Sequence, residues 1–176
     1  MNRRGIPTTY RGTRTRSLLE ATWLAFADLI GLEWTYEPAL PSAGYIPDLL
    51  LGDRLLCEIR PFTWHLRDDG PLVAARDQVA PVAAQHGLGA AVLGLDPFAC
   101  EWWDGTEWTR IGPRWTPVIS RGDLFVQFGP LLSARPLRHL TNSRTDIASL
   151  WRTAASRVQW RPRKLNRPIA RPEGAR

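Results

Sequence analysis

The segment Tyr45-Ile46-Pro47-Asp48-Leu49-Leu50-Leu51, then Gly52-Asp53, then Arg54-Leu55-Leu56-Cys57-Glu58-Ile59-Arg60-Pro61, leaves this chain few folds to choose from. Two apolar runs joined by a Gly-Asp turn predict a β-hairpin with strands over 45–51 and 54–60. Pro61 closes the second strand, because a proline donates no ladder hydrogen bond. Asp48 opens the first apolar run, while Glu58 and Arg60, two apart, leave one face of the second strand. The hairpin therefore brings an aspartate and a glutamate together. Two such carboxylates repel unless a cation or a proton sits between them. A hard cation such as Mg2+ takes carboxylate oxygens, keeps several waters, and polarises a phosphodiester while activating a water for attack.

At 176 residues and 44% hydrophobic, the chain has room for one ordinary domain and a tail, not for two domains. Its net charge is +6, carried almost wholly by arginine, since Lys164 is the only lysine. Arginine binds phosphate bidentately and stacks on bases, which points to a polyanionic partner such as DNA; codon bias in a GC-rich genome produces the same composition. Cys57 and Cys100 stand far apart with no C-x-x-C or Cys/His cluster, which argues against a zinc ribbon and a disulfide scaffold and fits a reducing cytoplasm. No run approaches membrane-spanning length, and residues 1–16 lack the apolar stretch of a signal peptide. The expected protein is soluble and cytoplasmic.

Along the chain, residues 1–15 hold Arg3, Arg4, Arg11 and Arg14 among Gly, Pro and Thr, the composition of a mobile or loosely docked basic arm. A single domain follows over 16–158. Leu18, Leu19, Trp23, Phe26, Ala27 and Ile30 recur at helical spacing and predict a helix over 16–30, stopped by Gly31. A strand is expected over 32–36, then the hairpin, then an Ala/Val-rich helix over 72–85 with Pro81 kinking or dividing it. The apolar run 90–95 reads as a buried strand. Asp104-Gly105 predicts a second hairpin between 100–103 and 107–111, residues 123–128 a further strand, and 142–157 a last helix capped by Thr141 or Asn142. The tail 159–176 is basic and proline-rich and is expected to be disordered. The fold class is α/β, with a mixed sheet flanked by helices in the order α-β-β-β-α-β and a C-terminal hairpin and helix.

Glu20 lies in the first helix among apolar neighbours, either facing solvent or turned toward something cationic. A helix that precedes a hairpin normally packs on it, so Glu20 is a candidate third carboxylate beside Asp48 and Glu58.

The order of these residues resembles the PD-(D/E)XK nuclease superfamily, the restriction-endonuclease-like fold. The motif here is Pro47-Asp48, nine residues, then Glu58-Ile59-Arg60. With Arg16-Ser17-Leu18-Leu19-Glu20-Ala21-Thr22-Trp23 and Tyr36-Glu37-Pro38 before it, the stretch 14–61 is similar to small phage- and actinobacterial-type proteins of that superfamily. These show an R-S-x-x-E-A-x-W helix and Y-E-P, Y-x-P-D-F and E-V-K-P strands. Endonuclease subunits of heteromeric transposases share part of the layout. The resemblance implies a Mg2+- or Mn2+-dependent DNA endonuclease with Asp48 and Glu58 as metal ligands and Glu20 completing the shell or orienting a water. The basic residue of the E-x-K step would stabilise charge. It also implies partners: DNA, a second copy in a homodimer, or a transposase or phage protein.

One departure carries weight, because Arg60 stands where the pattern has lysine. Arginine stays protonated and offers a planar fork, so Arg60 can hold a scissile phosphate but cannot act as a general base. A nuclease-derived DNA-binding or adaptor protein without turnover is therefore the competing expectation. Leu49 in place of phenylalanine is only a packing change. Glu37, His65 and Gln78 could reach the site or face solvent, His86 reads as a helix-terminus residue, and Trp102, Trp103 and Trp108 as hairpin packing or as a surface for unpaired bases.

Overall fold

The computed structural model describes residues 5–41, 44–63, 70–103, 105–111, 118–120, 123–125 and 144–158. In chain order the elements are β1 (Thr8–Tyr10), β2 (Thr13–Thr15), α1 (Leu18–Leu29), β3 (Trp34–Tyr36), β4 (Leu49–Leu51), β5 (Leu55–Ile59), α2 (Gly70–Gln85), β6 (Gly89–Leu93), β7 (Cys100–Trp103), β8 (Trp108–Ile111), β9 (Val118–Ser120), β10 (Asp123–Phe125) and α3 (Arg144–Arg157). The class is α/β, and the run α1-β3-β4-β5-α2-β6 has the expected order. Six strands form one mixed sheet in the order β3-β4-β5-β6-β7-β8. Only β5 and β6 are parallel, joined through α2; the other neighbours are antiparallel.

Both faces of the sheet are covered, which explains why β5 and β6 are buried at every position. On one face Leu55, Cys57, Ile59, Ala91 and Leu93 pack with α1 and α3, where Trp23, Phe26 and Trp151 meet at ring-centroid distances of 4.8–5.7 Å. On the other, Leu56, Ala90 and Val92 pack against Leu72, Ala75, Val79 and Ala83 of α2. Pro81 does not divide α2, which runs unbroken to Gln85.

Helix α1 is bounded by its caps. Ser17, extended at the N-cap, accepts the Glu20 N–H at 3.1 Å and so sets the start two residues later than periodicity suggests. Gly31 (φ +73°) turns the chain, and Leu32 N–H closes onto Ala27 O at 2.9 Å, a Schellman-type ending. Gly52 and Asp53 both take positive φ, the type I′ pattern, and Arg54 adds a third loop residue, so that Leu51 pairs with Leu55.

Two expectations change. Residues 8–15 are a paired hairpin, not a loose arm: Arg11 and Gly12 form its turn with positive φ. Tyr10 Oη and Arg11 Nη1 donate to Asp28 of α1 at 2.8 and 3.0 Å, which docks the hairpin. The strand expected over 45–51 pairs only at Leu49–Leu51, because its partner β3 ends at Tyr36 and Glu37 (φ +45°) turns away. A bridge remains, since the Glu37 N–H donates to Asp48 O at 3.0 Å. The stretch 126–128 of the expected 123–128 strand, the cap of the last helix, residues 1–4 and the 159–176 tail lie outside the described residues. Among the described residues no helix is long and apolar enough to cross a membrane.

Candidate active site

The β4–β5 register pairs Leu49 with Cys57, so one further step sets Asp48 opposite Glu58. Both are buried, at 1% and 2% exposure. Asp48 Oδ2 accepts the Ile59 backbone N–H at 2.7 Å, and Tyr45 Oη donates to Glu58 Oε2. These bonds aim the two carboxylates from opposite strands.

Two arginines answer them. The Arg60 guanidinium pairs with Glu58 through Nη2 and lies 3.5 Å from Asp48 Oδ2 through Nη1. Arg16 pairs with Asp48 Oδ1 through Nη2 and with Glu37 Oε1 through Nε at 3.1 Å. Burial, then the charge of Glu58, pushes the Asp48 carboxyl up to about 7, against the Ile59 N–H and Arg16. Burial also raises Glu58, opposed by its hydrogen bond from Tyr45 and by Arg60. The Tyr45 hydroxyl is itself pushed up by burial and by Glu58. At Arg16 burial works against the charge, but Asp48, Tyr36 and Glu20 outweigh it and hold the group above its ordinary value.

Glu20 is buried, as a residue turned inward should be, yet its oxygens have local tasks. Oε1 accepts Ser17 Oγ–H at 2.7 Å, and Oε2 accepts the Arg16 N–H at 2.9 Å and the Tyr36 hydroxyl at 2.6 Å. With the Ser17 bond to its N–H this is a capping box displaced by one residue. Among the described residues no three His, Cys, Asp or Glu side chains are gathered so as to hold a metal ion. The set of three carboxylates expected from the sequence is therefore not assembled; Asp48 and Glu58 stand as a pair, and Glu20 fixes the backbone of Arg16.

The pair still suits a hard cation. Its donors are carboxylate oxygens only, burial and then the charge of Glu58 push the Asp48 carboxyl up to about 7, and the groups now facing them are cations. Mg2+ keeps several waters and is commonly held by one or two carboxylates plus substrate phosphates.

Of the remaining candidates, Glu37 joins the cluster through Arg16, whereas Gln78 is exposed on α2. His86 follows the end of α2 and approaches Pro41 O at 3.2 Å, and His65 lies outside the described residues. Trp102 packs on the α1–α3 side, while Trp103 and Trp108 line a 310 Å3 groove with Arg76, Ala80 and Pro81. There Arg76 pairs with the fully buried Glu101. Arg16 is the site residue that sequence reasoning missed as a functional group. No protein-family model, curated protein or solved structure matches the chain.

Proposed function

We propose that the chain is a divalent-metal-dependent DNA endonuclease with a restriction-endonuclease-like core, hydrolysing phosphodiesters with water and without a covalent enzyme intermediate. The observation that carries this reading is the buried Asp48–Glu58 pair, faced across the hairpin and met by two arginines. Similarity of 14–61 to the PD-(D/E)XK pattern supports it.

In this reading Asp48 and Glu58 hold Mg2+ or Mn2+. When bound, such an ion polarises the phosphodiester and lowers the pKa of a water. The chain's own groups do the rest. The Ile59 N–H and the Tyr45 hydroxyl orient the two ligands. Arg60, already beside both carboxylates, places a permanent positive charge where negative charge develops on phosphorus-bound oxygen. Arg60 takes no proton from water at neutral pH, so the lysine role of an E-x-K step is left to solvent. Glu20 acts through Arg16 and Tyr36, as a positioning residue. Surface arginine supplies attraction for the DNA backbone.

The test is nicking of supercoiled plasmid with Mg2+ or Mn2+. Equal behaviour of wild type and Asp48→Ala sinks the reading. A second reading is favoured by the contacts of Arg16 and Arg60 on both carboxylates: a nuclease-derived DNA-binding protein whose site is closed by its own cations. It requires salt-sensitive DNA binding and no cleavage, even in Arg60→Lys protein. A phage or transposase setting, with a partner subunit, is compatible with either.

A further inference from the structure

We propose that Arg16 is a built-in counter-cation of the carboxylate pair, a latch that divalent metal must displace and that a phosphate backbone draws away. The inference rests on the metal-site reading and adds to it a regulation that the sequence pattern does not express.

The latch is constructed from three segments. The backbone of Arg16, just before the N-cap of α1, is fixed by donation of its N–H to Glu20 Oε2 at 2.9 Å and Tyr36 Oη at 3.1 Å. Its side chain then spans Asp48 and Glu37, two carboxylates from neighbouring strand ends. Glu37 is held in the left-handed region (φ +45°), sparsely used by residues with a side chain, and its N–H is tied to Asp48 O at 3.0 Å. Those two constraints keep the pair of carboxylates converged on one guanidinium.

Occupancy and mobility decide what such a contact does. Asp48 Oδ2 is engaged by Ile59 N–H and faces Arg60, so Oδ1 is the oxygen left for a metal, and Arg16 Nη2 occupies it. Asp48 is 1% exposed, whereas the Arg16 side chain is 58% exposed. The cation that covers the buried carboxylate is thus the one able to swing into solvent. Glu37, 38% exposed, gives the guanidinium a second resting partner as it leaves. A metal that binds only the unlatched state has its affinity reduced by the fraction of time the latch is open. A DNA phosphate offers Arg16 a bidentate partner, so DNA opens the latch and tightens metal binding, and the coupling is reciprocal.

The experiment measures Mn2+ affinity by the loss of the free-ion electron paramagnetic resonance signal, with and without a phosphorothioate duplex that resists cleavage. Proteins compared are wild type, Arg16→Ala, Arg16→Lys and Asp48→Ala, each checked for native circular dichroism. Arg16→Ala is expected to bind Mn2+ at least about fivefold tighter than wild type without DNA, and to lose the gain that DNA gives wild type. Arg16→Lys, whose single ammonium cannot span both carboxylates, falls between them and serves if the alanine variant does not fold. Equal or weaker binding by both Arg16 variants, with binding lost in Asp48→Ala, overturns the latch and leaves the metal site standing. No binding by any protein overturns both. Binding in the Arg16 variants but not in wild type supports the latch in its strongest form.

Discussion

Asp48 Oδ2 accepts the backbone N–H of Ile59 at 2.7 Å, a side-chain bond across the hairpin that continues the β4–β5 ladder one step past its last strand pair. The bond makes Asp48 structural as well as chemical. Asp48→Asn keeps an acceptor for that N–H, whereas Asp48→Ala leaves a buried donor unmet, at about 1–3 kcal/mol. Urea unfolding should therefore rank alanine below asparagine by that amount, with Mn2+ binding lost in both. Equal stability would show that Ile59 finds another partner.

The raised Asp48 carboxyl ties folding and metal binding to pH. In the unfolded chain the group has its ordinary value of 3.8; burial and Glu58 carry it to about 7 in the folded protein. Between those values the folded protein holds the extra proton, so its metal-free stability is greatest below the lower value and declines as pH rises toward the upper. Metal competes with the same proton, so Mn2+ affinity should climb over this window and flatten above it. Thermal melts in chelator check the first statement: Asp48→Asn should remove part of the decline, and an unchanged profile contradicts it.

Arg60→Lys separates an enzyme from a binding protein. Lysine frees one of the two carboxylate contacts of Arg60 and supplies a group able to orient or help deprotonate water. The expected outcome is faster plasmid nicking than wild type, with Arg60→Ala slower than both. Absence of cleavage in all three, with DNA binding retained, favours the adaptor reading.

Arg76, 20% exposed, pairs with the fully buried Glu101, far along the chain from the carboxylate hairpin. Removing Arg76 takes this cation from the fully buried Glu101, and breaking a pair that holds a buried charge typically destabilises a protein by about 3–5 kcal/mol. Arg76→Ala should lower the denaturation midpoint by a shift of that order. A loss below about 1 kcal/mol would place the pair with ordinary surface salt bridges.

Sequence and structure agree most where local chemistry dictates geometry. Gly52-Asp53 fixes a type I′ turn, and with Arg54 as a third loop residue Leu51 pairs with Leu55, which sets Asp48 opposite Glu58. Gly31 likewise stops α1 where periodicity ends. Two further signals are legible in the sequence itself. Ser17-Leu18-Leu19-Glu20 is the S-x-x-E of a capping box, which accounts for Glu20 without any metal. Thr8-Thr9-Tyr10 and Thr13-Arg14-Thr15 about Arg11-Gly12 are a hairpin with β-branched and aromatic arms, hidden by its arginine content. The role of Arg16 could not be read from spacing. Its partners Asp48, Glu37, Glu20 and Tyr36 come from separate segments, and only the fold decides which of many arginines meets them.

The claim that the hairpin carboxylates share a divalent cation is tested most directly by anomalous diffraction from crystals soaked in Mn2+. The expected result is a peak within coordination distance of one oxygen from Asp48 and one from Glu58, with the Arg16 guanidinium moved off Asp48. Crystals at saturating Mn2+ with no peak there, and with Arg16 and Arg60 still seated on the carboxylates, would contradict it.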